Sequence, residues 1–436
     1  MQNNQHIYDT MVIKEVPVPV DLPQMVSVHQ RFELPIVNDI EATVRGELEK
    51  SSLKNTLPRG GRIAILAGSR GIVHIDRIIR TVVETVKEWG GVPFVLSAMG
   101  SHGGYTEDGQ RAVLANYGIT ENVIGCPVEC PTDVKEIGTS SIGLPMYCCE
   151  RALAADGIIV VNRIKQHTII NAATESGLLK MLAIGLGRKP GANQAHRLGP
   201  KGLTRLVPEV GAHIINRANV LLGLGIVENA YHETAAIQAV EPACFYDGEV
   251  ALLKTAKSLA AKILVNDIDV LIIDEMGKNI SGTGLDTNVI GRKIGMTNDD
   301  PERTRITRIC VRDLTKDTHG NANGVGYSDM ITKRLFDSID FKVMHTNMLT
   351  AVMLGNGKMP VIGVSDEVMI KTSLYVAWQI NPERARIVRI KNTLALGDIQ
   401  VSKAIAESLD DKTTVTVQSD PFNFKFDGAG NLMSDI

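Results

Sequence analysis

No run of about eighteen uninterrupted apolar residues occurs in this 436-residue chain, so no membrane-spanning helix is expected. The opening segment MQNNQHIYDT holds neither a basic stretch nor an apolar one, which predicts no secretory leader and a cytoplasmic protein. An excess of one charge is lacking too: 46 Lys and Arg face 49 Asp and Glu. Without a global field, neither nucleic acid nor a membrane surface is an expected partner, and a small molecule becomes the default. Cys126, Cys130, Cys148, Cys149, Cys244 and Cys310 form no CxxC pair matched by a second pair or by histidines, which excludes a zinc ribbon. For the adjacent Cys148 and Cys149, buried, reduced thiols are expected rather than a redox pair. HExxH and HxxxH are also absent, so spacing gives no all-protein metal cage. There is no internal repeat and no low-complexity linker.

What is present is a globular composition, 44% hydrophobic and 22% charged. The length fits two domains, each burying its own core, with a cleft between them. From residue 60 onward β-branched runs alternate with amphipathic stretches, the pattern of parallel strands joined by crossover helices, so the expected class is α/β in both lobes. Arg62–Ala67, Pro93–Ser97 and Gly157–Asn162 read as strands. Ile75–Trp89 reads as a helix, with apolar residues at Ile75, Ile78, Ile79, Val82, Val83 and Val86. Further helices are expected near Gln110–Asn116, Pro208–Val220 and Glu249–Leu264. A boundary falls near residue 265, giving domains 1–265 and 266–436. The second contains a strand from Asp267 to Asp274, the glycine-rich loop GKNISGTGLDTNVIGR, a strand at Arg305–Arg312, a helix at Ser365–Gln379 and a strand at Arg386–Lys391.

Ligands of open α/β sheets bind beyond the carboxyl ends of strands. The loops after the first three strands hold Arg70, His102 and His167, which should therefore meet at one sheet edge. His102 sits in GSHGG, where glycines let the backbone approach a ligand closely. A loop histidine suits acid–base work, and equally a turn histidine that bonds a neighbouring carbonyl; the same two readings hold for His167. In ESGLLKMLAIGLG, Lys180 is a lone amine in an apolar wall. Such an amine has a depressed pKa and serves as a nucleophile or a cofactor anchor, unless it reaches solvent or pairs with Glu175. His196 follows sixteen residues later. GKNISGTG lacks the phosphate-loop pattern, so its glycines read as turn residues, while Lys278 and Arg292 remain candidates for an anionic substrate.

Together these residues resemble the nickel-pincer lactate racemase family. AILAGSRGI is similar to that family's strand and Thr-Arg turn, SAMGSHGGYT to its Gly-Thr-His loop, and SGLLK to its Ser-Gly-Gly-Arg-Lys segment. The interval from Lys180 to His196 also matches without a gap. The likeness covers roughly Arg62–Pro200, with GTGLDTN resembling a Pro-Leu-Asp-Gln-Asn segment beyond it. It implies a racemase or epimerase of 2-hydroxy acids, with His102 and His167 as the acid–base pair. Lys180 would tether a nickel pincer nucleotide, with Ser69, Ser176 and Gly177 also binding that cofactor. His196 would be the protein's nickel ligand, and Arg70, Lys278 and Arg292 would bind substrate. The N-terminal domain would then be the catalytic and cofactor-anchoring one, the second would close the cleft, and cofactor-synthesis proteins would be partners in the cell.

Three departures bear on substrate. The interval from His167 to Lys180 is a few residues longer than the family's. Ala67 stands where members often have an acidic residue, and Ile290 and Gly291 stand where lactate racemases have tyrosine and glutamine. Lys165, Gln166, Lys278, Asn279 and Arg292 add polar groups, so the expected substrate is a larger polar acid, such as an aldonic acid or a hydroxy-dicarboxylate, rather than lactate. Three other functions use the same residues: lactate racemisation proper, a Schiff-base lysine enzyme acting on a keto acid, and a noncatalytic cofactor-binding protein.

Overall fold

The computed structural model describes residues 10–293, 304–378, 381–409, 413–434 and 436. Within them the chain divides into two compact units, one formed by Glu33–Ala260 and the other by Met1–Phe32 with Ala261–Ile436. The second unit thus includes the segment from Ala261 onward but also takes described residues 10–32. The reason is strand pairing: Met25–Gln30 lies antiparallel between Asp398–Ser402 and Val415–Val417. That pairing joins the two ends of the chain and leaves no local sequence signal.

The Glu33–Ala260 unit is built on six strands in the spatial order 234–240, 220–228, 157–163, 62–67, 92–97, 128–129. All neighbours are parallel except the pair 220–228 and 234–240. RIAILA, VPFVLS and GIIVVNR are nearly continuous apolar runs because both faces of a parallel sheet are covered. One cover is the helix Ile75–Glu88, whose six expected apolar positions are all buried. Leaving Arg62–Ala67 the chain moves outward to 92–97 and 128–129, then returns to the other side of Arg62–Ala67 at Gly157–Arg163. The topological switch point therefore lies between Arg62–Ala67 and Gly157–Arg163, where open sheets of this kind bind ligands.

Two helix expectations shift. The helix drawn over Pro208–Val220 runs from Gly199 to Arg217 with Pro208 inside it, and Val220 already begins a strand. Proline is favoured in the first helical turn, and here Pro200 occupies that place. The helix drawn over Glu249–Leu264 spans Phe245–Leu259.

The other unit has a nine-stranded sheet in the order 12–13, 361–363, 330–332, 306–314, 268–276, 387–390, 398–402, 25–30, 415–417. Its first six strands are parallel and its last three antiparallel. The helix expected at Ser365–Gln379 spans Asp366–Tyr375, with Ser365 as its cap; Gln379 lies outside the described residues. Buried Arg312 and Arg389 share Asp274, and Asp366 takes both Arg312 and the Leu432 N–H, which ties the C-terminal segment to the sheet. Among the described residues no helix is long and apolar enough to cross a membrane.

Candidate active site

Three adjacent parallel strands, Gly157–Arg163, Arg62–Ala67 and Val92–Ser97, end at one edge of the sheet. Their following loops bring Arg70, His102 and His167 to that edge, as the strand pattern implied. The Ser69 carbonyl accepts from Tyr117 Oη at 3.1 Å, which holds the first loop. Arg70 is exposed by surface area but crowded by protein. That desolvation, with Arg163 adding to it and Tyr117 opposing, lowers the guanidinium pKa.

The second loop is tight because Gly103 and Gly104 take φ values of 66° and 65°. A Cβ on Gly103 would lie 2.6 Å from the Gln110 nitrogen, so only glycine fits there. His102 is exposed, with Nδ1 2.9 Å from the Met99 carbonyl. A carbonyl only accepts, so in the neutral ring Nδ1 carries the proton and Nε2 the lone pair. His167 is the reverse. Its Nδ1 accepts the Ile169 N–H at 3.1 Å, which leaves the proton on Nε2. Its own backbone N–H donates to buried Glu175 at 2.6 Å. The two rings thus hold opposite tautomers, fixed by main-chain partners.

Lys180 lies where a short helical turn, Leu178–Lys180, widens into a π-helix over Met181–Leu186. Helices of this wide form are rare and often mark functional sites. Burial pushes the Lys180 amine down to about 7, helped by Arg70 and Lys165 and opposed by Glu249 and Glu175. Glu175 does not pair with the lysine: its carboxylate meets Lys257 at 2.6 Å. Glu249 caps the start of the lysine segment by accepting the Leu179 N–H at 2.9 Å, and a Cβ on Gly177 would lie 2.5 Å from its carboxyl carbon. Burial raises the Glu249 carboxyl to about 7, against the Leu179 and Leu178 N–H groups and Lys180. Its Oε1 is buried without a partner, a cost relieved when the group is protonated. His196, one helix further on, is lowered by burial and then by Lys180.

Ser176 and Gly177 take part through their backbones, the Ser176 carbonyl accepting from Lys165 N at 2.9 Å and that of Gly177 from Asn162 Nδ2 at 2.8 Å. Lys278 and Arg292 are held within the other unit. Lys278 Nζ donates to Gly282 O at 2.7 Å, and Arg292 Nη1 to Asp329 at 2.9 Å and Tyr327 O at 2.8 Å. The glycines of their loop are turn residues, with Gly277 N–H donating to Gly284 O. All six cysteines are free, and burial pushes the Cys148 thiol up to about 12, out of the reactive range.

Sequence reasoning missed Glu249. A signal existed, since Glu249 falls on the same helical stripe as buried Phe245, Leu252, Leu253 and Ala256. An acid on an apolar stripe marks either a clash or a site. Among the described residues no three of His, Cys, Asp and Glu come together to hold a metal ion.

Residues 14–200 match the family described as the lactate racemase N-terminal domain. The fold is similar to that of the lactate racemase apoprotein from Thermoanaerobacterium thermosaccharolyticum, at TM-score 0.54 and 14% identity over 85% of this chain and 99% of that one. It is also similar to the crystal structure of a Thermotoga maritima protein, at TM-score 0.51 and 12% identity over 84% and 99%. At such identities the likeness is one of fold. No curated protein matches the sequence. Residues 14–200 are thus similar to a lactate racemase N-terminal domain, and the chain is similar in fold to the two solved structures.

Proposed function

We propose that the chain is an isomerase that inverts C2 of a polar 2-hydroxy acid, working with a nickel pincer nucleotide tethered at Lys180. One observation carries the reading: Arg70, His102 and His167 sit on loops at one carboxyl edge of the sheet, and the Gly100 N–H donating to Gly185 O joins the His102 loop to the helical segment that follows Lys180. The residues fit the implied cofactor. An amine near pKa 7 is in good part uncharged and able to form a covalent bond, and a neutral imidazole at His196 is a suitable nickel donor.

When bound, the cofactor would supply an acceptor for the C2 hydride, which is chemistry no side chain offers. Arg70 grips the substrate carboxylate and keeps the planar keto acid from escaping. Of His102 and His167 the neutral ring takes the hydroxyl proton, and the other, as its imidazolium, returns a proton to the opposite face and is left neutral. The reverse direction exchanges the two roles. The preference for a polar substrate rests on Lys165 and Gln166, and Arg292 adds little to it while Asp329 holds its guanidinium.

The test is protein made in a host that synthesises the nucleotide, assayed in parallel on lactate, malate and gluconate-type acids. Epimerisation of a polar acid with the highest specificity constant is expected. A highest value for lactate refutes the substrate class, and no turnover of any 2-hydroxy acid by nickel-loaded protein refutes the activity. The depressed Lys180 amine also favours a second reading, a Schiff-base enzyme acting on a keto acid. Borohydride with a keto acid would then trap substrate on Lys180, and no such adduct is expected.

A further inference from the structure

Arg188 has no part in the reaction outlined above, yet its guanidinium is fully buried. It stands where the π-helix ends and the helix to Arg197 begins, with a left-handed backbone at φ 53°. A non-glycine residue holds that conformation only where its surroundings over-determine it. Nη1 donates to Ser97 Oγ at 2.9 Å and to Gln110 Oε1 at 3.0 Å, and Nη2 to Cys149 Sγ at 3.4 Å. None of these is a carboxylate, and Nε is buried without a partner. A guanidinium buried in this way is a poor source of stability.

The partners give the reason for it. Ser97 ends the strand that leads into the His102 loop, and Gln110 lies in the helix that leads out of it. Ser97 Oγ donates to Gln110 Oε1 at 2.7 Å, and Gln110 Nε2 donates to the His102 carbonyl at 3.4 Å. One guanidinium nitrogen therefore reaches both stems of the loop. On the facing side Gly100 N–H donates to Gly185 O at 3.2 Å, and a Cβ on Gly185 would lie 2.6 Å from Ala98 O, so the loop sits directly on the π-helix. Lys180 lies eight residues before Arg188 and His196 eight residues after it.

We infer that Arg188 is a positioning residue that clasps both stems of the His102 loop to the helical segment bearing Lys180 and His196, and so sets His102 against whatever those two residues hold. The inference rests on the proposed function, because positioning matters only if His102 and Lys180 act together. The experiment compares wild type with Arg188→Met, Arg188→Lys and Gln110→Glu.

In the apoprotein, hydrogen–deuterium exchange across residues 98–106 should rise about tenfold in Arg188→Met, with the Gly157–Arg163 strand unchanged. In the loaded enzyme Arg188→Met should retain the covalent mass on Lys180 but lose about 10²-fold in kcat, with KM within about threefold, since a misplacement of about 1 Å suffices. Arg188→Lys should restore loop protection only in part, because an ammonium lacks the fork that spans both sets of partners. If Arg188→Met does not fold, Gln110→Glu decides. It gives the guanidinium a carboxylate, so Tm holds or rises, while loss of the donor to the His102 carbonyl lowers kcat. Unchanged exchange over 98–106 in Arg188→Met, or full turnover in Gln110→Glu, overturns the clasp. Raised exchange together with a wild type that epimerises no 2-hydroxy acid refutes the proposed function and leaves the clasp standing.

Discussion

Replacing Lys180 by methionine should make the apoprotein more stable, and by an amount that depends on pH. The amine falls from its ordinary 10.5 to about 7 because burial disfavours the ammonium, with Arg70 and Lys165 adding repulsion and Glu249 and Glu175 opposing. Below pH 7 the folded protein must hold a charged amine there, whereas the unfolded chain holds it in water. At about 1.4 kcal/mol per tenfold change in proton affinity, the full drop corresponds to a penalty of about 5 kcal/mol. The side chain is not wholly enclosed and its neighbours relax, so about half of that is the firmer expectation. Between pH 7 and 10.5 the unfolded chain binds more protons than the folded one, so wild-type stability rises with pH across that window. The methionine variant lacks this slope. Urea unfolding of both apoproteins should therefore show the variant ahead by about 2–3 kcal/mol near pH 6, with the lead shrinking as pH approaches about 9. A difference that stays constant over that range, or a wild type that is the more stable near pH 6, would refute the claim that burial depresses this amine.

Other expectations follow from the same site. Glu249→Gln should change stability in a separate window: a carboxyl raised from 4.5 to about 7 favours folding below pH 4.5 and loses that advantage as pH rises through 7, so the glutamine variant gains on wild type from about pH 5 to 7. Gly177→Ala should cost about 1–3 kcal/mol through its clash with the Glu249 carboxyl, and a second change, Glu249→Ala, should recover much of that loss in thermal melts. Nitrogen-15 NMR of the neutral rings should place the proton on Nδ1 of His102 and on Nε2 of His167; the same tautomer at both would refute the main-chain contacts as what sets them. In cofactor-loaded protein, Lys180→Ala should abolish the covalent mass, while His196→Ala should lower nickel content more than adduct, as measured by intact mass and metal analysis.

The α/β class, the three strands whose ends carry the candidate site and the loops bearing Arg70, His102 and His167 could be read locally. A fully buried parallel strand must be a short continuous apolar run, and the loop after it must lie at the strand's carboxyl end. Lys180 was legible for a related reason, as a single charge within an otherwise apolar segment. Glu249 obeyed the same logic on its helical stripe, but its meaning depended on the segment it caps, and the two are seventy residues apart. Lys278 and Arg292 show the opposite case. Their place in a glycine-rich loop offered them as substrate ligands, and what the sequence did not show is that Lys278 bonds Gly282 and Arg292 pairs with Asp329.

The sequence by itself determined which segments become strands and helices, and placed the imidazoles and the amine on the segments that follow them, because burial periodicity and turn chemistry act over a few residues. Only the tertiary structure decided the closing of the C-terminal sheet by Met25–Gln30, the capping of the lysine segment by Glu249 and the burial of Arg188 among Ser97, Gln110 and Cys149. Each of these depends on which polar atom lies within about 3 Å of another once the strands are in register, a contact that no local pattern of residues encodes.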